Sequence, residues 1–212
     1  ELLNNLVFHL GLIEAFSYWK AACSPQIHIA AGSLSAPQLD WWRQLLLKGM
    51  GEFFYVNKID FTSPDFVTFT ADNSVPTQPI AIEAQNKYLA LVGGGKDSAV
   101  ALEILKAAQA SFQTMLLNPT PAATAVANIA GDNHPLIIKR TIDPKLIGLN
   151  QQGYLNGHTP FSAYLAFLSL LVGSLFGFEH VVVANERSSD EENISYLGHK
   201  INHQYSKSLE FE

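Results

Sequence analysis

The chain has 212 residues, of which 48% are hydrophobic and 15% charged, a composition typical of a globular protein with a sizeable core rather than of a disordered one. Its 13 basic and 19 acidic residues give a net charge of −6, which argues against a broad nucleic-acid-binding face, because neutralising phosphates needs clustered lysine and arginine. A single cysteine, Cys23, excludes an intrachain disulfide and a cysteine-based zinc site.

The two ends of the sequence and one apolar stretch bear on where the protein works. The first 20 residues lack a basic run and carry Glu14 within their apolar pattern, unlike a signal peptide, and a lone cysteine suits the reducing cytoplasm. Residues 160–178 are uncharged and nearly long enough to span a bilayer. Serines and glycines interrupt them and no basic cluster flanks them, so we expect a buried helix and no membrane contact. Because the chain lacks an initiating Met and stops without a cap or turn, we expect a fragment that is trimmed at both ends, including the C-terminus of its second domain.

Residues 1–86 are predicted to form a mainly helical N-terminal region with a little strand, ending in a linker. Ser35 as N-cap and Pro37 in the first turn mark the start of one helix, whereas alternating residues near Phe69 indicate an edge or antiparallel strand. In chain order the predicted elements are a helix over 2–20, a strand over 26–30, a helix over 35–50, a strand over 66–70 and a linker over 71–86.

From residue 87 onward, strands and helices alternate. The predicted elements are strands over 88–92, 112–117, 135–142 and 180–185 and helices over 97–110, 119–130 and 160–176. This alternation predicts an α/β domain over 87–212, with an open parallel sheet and helices on both faces. Ligands of such sheets bind beyond the carboxyl ends of the strands. The residues to inspect are therefore 93–98, Asn118, Lys139 and Arg140, and 185–188.

The stretch "LALVGGGKDSAV", residues 89–100, runs from a strand through three glycines into a helix. This arrangement brings backbone N–H groups and a helix N-terminus to a phosphate. A nucleotide P-loop is excluded because Asp97 follows Gly95-Lys96 where Ser or Thr is required, and Ala90 stands where its first glycine should be. A dinucleotide fingerprint is excluded because Ser98 stands where its last glycine should be.

The same loop resembles the S-G-G-x-D-S signature of the PP-loop ATP pyrophosphatases, with Gly93 in place of the first serine. The resemblance implies a PP-loop fold and ATP binding, with the loop holding the pyrophosphate end while the α-phosphate is attacked. The amides of Gly93–Gly95 and the Ser98 hydroxyl would donate to phosphate oxygens, Lys96 would add a charge, and Asp97 would position Mg²⁺. The alternative is a glycine turn without a ligand, or a helix capped by Asp97.

Two further polar groups are candidate sites. Asn185, Glu186 and Arg187 follow the last strand and are expected to face the same cleft as the glycine loop. His203 and Lys207 would share a face if their stretch is helical, although the acidic residues 190–192 are interpreted as a solvated surface. His158, beside Asn156, would lie at the N-terminus of the apolar helix started by Thr159 and Pro160. It could equally satisfy a buried carbonyl group.

Taken together, "VGGGKDS", "NGHTP", "NERS" and "NHQYSKS" resemble the UDP-N-acetylmuramoyl-L-alanyl-L-glutamate epimerases of bacterial peptidoglycan synthesis, as do "FHLGLIEAFSYWKAAC" and "GEFFYVN". The resemblance implies an isomerase that inverts the terminal L-glutamate of a small nucleotide-sugar peptide, using ATP and Mg²⁺ through an acyl-adenylate. Adenylation would remove the carboxylate charge and so acidify the Cα proton for a positioned base.

The resemblance to the epimerases does not identify the residue that acts as the base. The candidates are His158, His203 and Lys207, with Glu186 behind them, and a lysine would need a lowered pKa to serve. Asn185 is assigned to the nucleotide, and Arg187 suits a bidentate grip on phosphate or carboxylate.

Two other classes share the glycine loop. An amide ligase would adenylate a carboxylate and then admit an amine, whereas a regulatory adenine-nucleotide-binding module would need the loop but not the polar residues over 185–208. A tRNA-thiolating enzyme is disfavoured, because it would need more cysteines and a basic surface.

Overall fold

The computed structural model describes residues 1–72 and 80–212. Residues 73–79 of the predicted linker lie outside the described residues. In chain order the helices and strands are α1 (Leu2–Trp19), β1 (Gln26–Ile29), α2 (Ala36–Gly49), α3 (Gly51–Asn57), β2 (Thr68–Ala71), β3 (Gln85–Leu91), α4 (Lys96–Ala107), β4 (Phe112–Leu117), α5 (Pro121–Ala130), β5 (Leu136–Ile138), α6 (Pro144–Gln151), α7 (Phe161–Phe176), β6 (Phe178–Val182), β7 (Ile194–Tyr196) and β8 (His199–Ile201). Short 3-10 turns occur at Arg187–Asp190 and Tyr205–Lys207.

The chain divides into two compact units, of which the first comprises Glu1–Ile80, Asp143–Leu165 and Arg187–Glu212 and the second Ala81–Ile142 and Ala166–Glu186. The division into domains over 1–86 and 87–212 stays a prediction. The structure adds that two later segments belong to the first unit. Contacts explain this grouping, because Lys20 Nζ donates to Gly157 O at 2.8 Å and a Cβ on Gly51 would lie 3.1 Å from Ile201.

The first unit is built around buried aromatic side chains. Trp42, Phe53 and Phe54 are fully buried, and the Phe54 ring packs against Trp19 and Phe61 at centroid distances of 6.3 and 4.9 Å. Such edge-to-face and stacked pairs add to the free energy gained by burying their large apolar area. The aromatic core therefore joins α1, α2 and α3.

Strand pairing in the first unit corrects one prediction. β1 and β2 pair in parallel as a two-stranded sheet, with Gln26 opposite Thr68 and Ile29 opposite Ala71. Of the two alternatives predicted for the second strand, the edge position is therefore correct and the antiparallel arrangement is wrong. The physical reason is the connection, because α2 and α3 lie between the strands and supply the long crossover that a parallel pair needs.

The C-terminal stretch corrects a second prediction. β7 and β8 form an antiparallel hairpin, and both residues of its turn, Leu197 and Gly198, have positive φ angles of 51° and 79°, as a type I′ hairpin turn requires. The stretch after the hairpin is not an α-helix, since it holds only the 3-10 turn Tyr205–Lys207, so the condition under which His203 and Lys207 would share a helix face is not met. His203 lies between β8 and the short 3-10 turn.

The second unit contains a four-stranded parallel sheet in the order β5-β4-β3-β6. α4 and α5 cover one face, where Leu102 and Ala127 pack with Ala90 and Leu116. α7 covers the other, since a Cβ on Gly173 would lie 3.9 Å from Val181, whose side chain points away from its neighbour Val182. The predicted parallel sheet flanked by helices is confirmed.

The apolar helix α7 is buried along one face only. Its Leu168 and Val172 are buried, whereas Leu170, Leu175 and Phe176 are more than half exposed. The predicted buried helix is thus correct in its position but not in the extent of its burial. Among the helices of residues 1–72 and 80–212, none is both long and apolar enough to cross a membrane.

Candidate functional site

The glycine loop follows β3 and leads into α4 in the second unit. Gly94 has a φ of +89°, and a Cβ there would lie 2.5 Å from the backbone N of Ala123. Glycine is therefore required by packing at this position. A Cβ on Gly93 or Gly95 would meet nothing within 4 Å. Protein packing does not explain those two glycines, whereas an approaching ligand would.

Ser98 closes the loop from within. Its buried hydroxyl accepts a hydrogen bond from the backbone N–H of Gly93 at 3.1 Å. This contact fixes the start of the loop against the first turn of α4. Gly93 stands where the PP-loop signature that this loop resembles has its first serine, and the Gly93 amide is the group that Ser98 holds.

Lys96 joins the glycine loop to the segment after β6. Its Nζ lies 2.6 Å from Asp97 Oδ1 and 2.6 Å from Glu186 Oε1. Hydrogen bonds to Asp97 and then to Glu186 raise the pKa of Lys96 well above its usual range, so its ammonium group stays charged. From β3 the chain adds β4 and β5 on one side and then returns to add β6 on the other side. The order of strands therefore reverses between β3 and β6, and such sheets bind ligands at this point.

These residues fit ATP and Mg²⁺. Mg²⁺ is usually held by one or two carboxylates together with phosphate oxygens. The carboxylates of Asp97 and Glu186 lie close together, since both contact the ammonium group of Lys96. Within the described part of the chain, no group of three or more His, Cys, Asp or Glu side chains could hold a metal. A metal here would therefore depend on phosphate ligands. The open glycines, the α4 N-terminus and Lys96 suit those phosphates.

The residues that follow β6 are divided between the units. Asn185 and Glu186 are exposed residues of the second unit, whereas Arg187 starts the 3-10 turn of the first. At the end of β4, Asn118 is bound at both ends of its amide to the backbone of Arg140, at 2.8 and 2.9 Å. Asn118 thereby pins the segment after β5 and has a structural role.

The first unit brings His158 and His203 together. Their ring centroids are 6.5 Å apart and their planes are nearly perpendicular. His158 Nδ1 lies 3.5 Å from Glu52 Oε2. The loop that carries His158 is held by α3, because Asn57 Nδ2 donates to Asn156 O at 3.2 Å.

Burial lowers the pKa of His158, and the neighbouring charges of His203 and Lys20 lower it further, whereas Glu52 acts in the opposite direction. The imidazole is therefore neutral near pH 7 and can accept a proton. The sequence identified His158 but not Glu52 or Lys20. The signal was present, because both lie within stretches that resemble the epimerase family.

His203 is held by two amide side chains. Its backbone N–H donates to Asn193 Oδ1 at 2.9 Å, and its Nδ1 contacts the same oxygen. Gln204 Nε2 lies 3.3 Å from His203 Nε2. Lys207 ends the 3-10 turn, and its carbonyl accepts from Ser189 Oγ at 2.9 Å.

A separate cavity in the first unit was not predicted. Its volume of about 480 Å³ is in the range of small-molecule sites. Arg43 is fixed at its wall by hydrogen bonds to Val67 O and Pro64 O at 3.1 and 2.7 Å, and the walls carry acidic and basic groups of both signs. The lining residues are Arg43, Gln44, Leu47, Lys48, Phe61, Thr62, Ser63, Pro64, Asp190, Glu192, His199, Lys200, Ile201, Asn202, Tyr205, Ser208 and Glu210.

Comparisons with known proteins place the chain in one family. The MurL N-terminal domain family matches residues 1–212. Three relatives are named UDP-N-acetyl-alpha-D-muramoyl-L-alanyl-L-glutamate epimerase. The Micromonospora sp. relative is 34% identical over 99% of this chain and 46% of its own length, and the Salinispora tropica relative is 33% identical over 99% of this chain and 45% of its own length. The Xanthomonas oryzae pv. oryzae relative is 32% identical over 96% of this chain and 44% of its own length. The chain thus spans less than half the length of these curated relatives. No solved structure gives a significant match. The chain belongs to the MurL N-terminal domain family.

Proposed function

We propose that the protein carrying this chain is an ATP- and Mg²⁺-dependent epimerase that converts the terminal L-glutamate of UDP-N-acetylmuramoyl-L-alanyl-L-glutamate to D-glutamate in the cytoplasm, for peptidoglycan synthesis. The observation that carries the proposal is the family match over residues 1–212, with relatives that are named for this epimerisation.

The glycine loop is assigned to the phosphates of ATP. Gly93 and Gly95 leave their backbone open to a ligand, and Lys96 supplies a positive charge beside them. Asp97, with Glu186, is assigned to Mg²⁺, since both carboxylates lie near each other around the Lys96 ammonium group. Asn185 is assigned to the nucleotide, and Arg187 to a phosphate or substrate carboxylate.

Activation by ATP explains why a nucleotide is needed for an inversion. A glutamate carboxylate makes its adjacent Cα–H a very weak acid, because deprotonation adds a second negative charge. ATP supplies the adenylyl group that masks this charge. The chain must then provide a base on one side of Cα and a proton donor on the other. His158 suits the base, because burial favours its neutral form.

The test incubates the protein that carries this chain with ATP, Mg²⁺ and UDP-N-acetylmuramoyl-L-Ala-L-Glu, and follows AMP release and glutamate chirality together. Release of AMP with formation of D-glutamate is expected. AMP without D-glutamate would contradict the epimerase and favour a ligase that awaits an amine. Absence of AMP with this and other carboxylate substrates would favour a nucleotide-binding module.

A further inference from the structure

We propose that His158 and His203 are the two acid–base residues on opposite faces of the glutamate Cα, with Nε2 of each ring as the atom that exchanges the proton. The inference rests on the proposed epimerisation and deepens it. Of the four candidate bases, these two are rings that lie near each other, with nearly perpendicular planes and a centroid distance of 6.5 Å.

The hydrogen bonds of His203 fix which nitrogen carries a proton. Asn193 Oδ1 accepts from the backbone N–H of His203 at 2.9 Å, and because an N–H can only donate, the Asn193 atom is the oxygen. The same oxygen contacts His203 Nδ1, so Nδ1 is protonated in the neutral and charged rings alike. Nε2 is the nitrogen that gains or loses a proton, and Gln204 Nε2 lies 3.3 Å from it.

His158 has the same arrangement. Its Nδ1 faces a carboxylate oxygen, Glu52 Oε2, at 3.5 Å, which favours a proton on Nδ1 and leaves Nε2 as the titrating atom. The charged groups that act on this ring come from three elements: Glu52 in α3, Lys20 after α1, and His203 itself. A ring that is neutral near pH 7 can take the proton directly.

The two rings are close enough to act on one substrate group. A base acts across about 2.6–3.2 Å from its own nitrogen. Because the ring centroids are 6.5 Å apart, one bound group can contact both imidazoles. Both are only partly buried, so a substrate group can reach them.

The proton balance requires one neutral and one protonated ring. The neutral ring takes the Cα proton at Nε2, and the electron pair of the broken C–H bond moves into the activated carboxyl group. The protonated ring on the other side gives its Nε2 proton to Cα and becomes neutral. The pair keeps its total charge, and exchange with water restores the starting arrangement.

The experiment runs the reaction of the proposed epimerase in D₂O with wild-type protein and the variants His158→Gln and His203→Gln. Wild-type product is expected to carry one deuterium at Cα, whereas L-glutamate recovered early carries little. Each variant is expected to lose inversion by about 10²- to 10⁴-fold while AMP release stays within about tenfold. Only one of the two variants is expected to place deuterium into L-glutamate without inversion, namely the variant that retains the histidine on the face from which the proton of L-glutamate is removed.

The matched control is His28→Gln, an exposed histidine of β1 in the same unit, which is expected to invert at the wild-type rate. Normal inversion in either site variant, or product that retains its original Cα hydrogen in wild-type protein, would overturn the pair. If a variant fails to fold, retention of the original Cα hydrogen in the wild-type product would still overturn the pair. Absence of AMP from wild type would instead refute the proposed function, and the inference with it.

Discussion

The two units reach a stable core by different means. The second unit packs small and aliphatic side chains, such as Ala127 and Leu102, between a parallel sheet and its helices. The first unit packs large rings, such as Trp42 and Phe54, and the contact of Phe61 with Tyr196 at a centroid distance of 6.3 Å joins segments far apart in sequence. Small side chains let helices approach a sheet closely, and this builds a loop at a strand end. Large rings instead bridge distant segments, and the same unit brings His158 and His203 to a centroid distance of 6.5 Å.

The largest expected effect tests the aromatic core. Phe54→Ala should lower the free energy of unfolding by about 3–5 kcal/mol, because it removes a fully buried ring and leaves a cavity. Chemical denaturation would measure the loss. Hydrogen exchange should show weakened protection over 1–72, 143–165 and 187–212.

The control for this variant is Val56→Ala in the same helix. Val56 is 61% exposed, so its change should stay within about 0.5 kcal/mol. Weakened protection confined to residues 1–72 would mean that the aromatic core does not hold the three segments as one unit.

The next effect tests whether the glycine loop is rigid because of packing. Gly94→Ala should cost about 2–4 kcal/mol, since its φ of +89° and the 2.5 Å approach to Ala123 N exclude a Cβ. Gly95→Ala, with its φ of −89° and open surroundings, should leave the unfolding midpoint almost unchanged. Equal losses in the two variants would contradict the packing argument.

A third prediction separates binding from stability in the second unit. Lys96→Gln should weaken ATP binding about ten- to hundredfold, because a charge-assisted contact to phosphate is lost, while thermal stability stays the same for this exposed side chain. Titration calorimetry with Mg²⁺ and ATP measures the change. Lys106→Gln, on the same helix and paired with Glu103, should bind as wild type does. Similar weakening in both would show a general effect of charge.

The smallest effect is a pH dependence located in the first unit. Burial lowers the pKa of His9 and of His158 from 6.5, so the unfolded chain takes up protons at a higher pH than the folded one. Their contribution to stability is complete above about pH 6.5 and falls as the pH drops through the folded-state pKa values. The double variant His9→Gln, His158→Gln should flatten the acid side of a stability–pH curve. An unchanged slope would refute this assignment.

Local patterns predicted most of the elements. The helices over 2–20 and 35–50 and the strand over 112–117 agree closely with α1, α2 and β4, because apolar periodicity and caps depend on near neighbours. Gln38 Oε1 accepts from the N–H of Ser35 at 2.9 Å, which supports the predicted helix start. Sequence missed α3, α6 and the β7–β8 hairpin, which are short, and it extended the strand over 135–142 beyond its end at Ile138.

By itself the sequence determined the alternation of strands and helices that predicts a parallel sheet, and the glycine loop with its place between β3 and α4, since both depend on residues close together in the chain. Tertiary structure alone decided the parallel pairing of β1 with β2, the contact of Lys96 with Glu186, and the approach of His158 to His203. The physical reason is that these contacts join residues far apart in sequence. Their closeness depends on how the aromatic core and the sheet pack, which no local periodicity encodes.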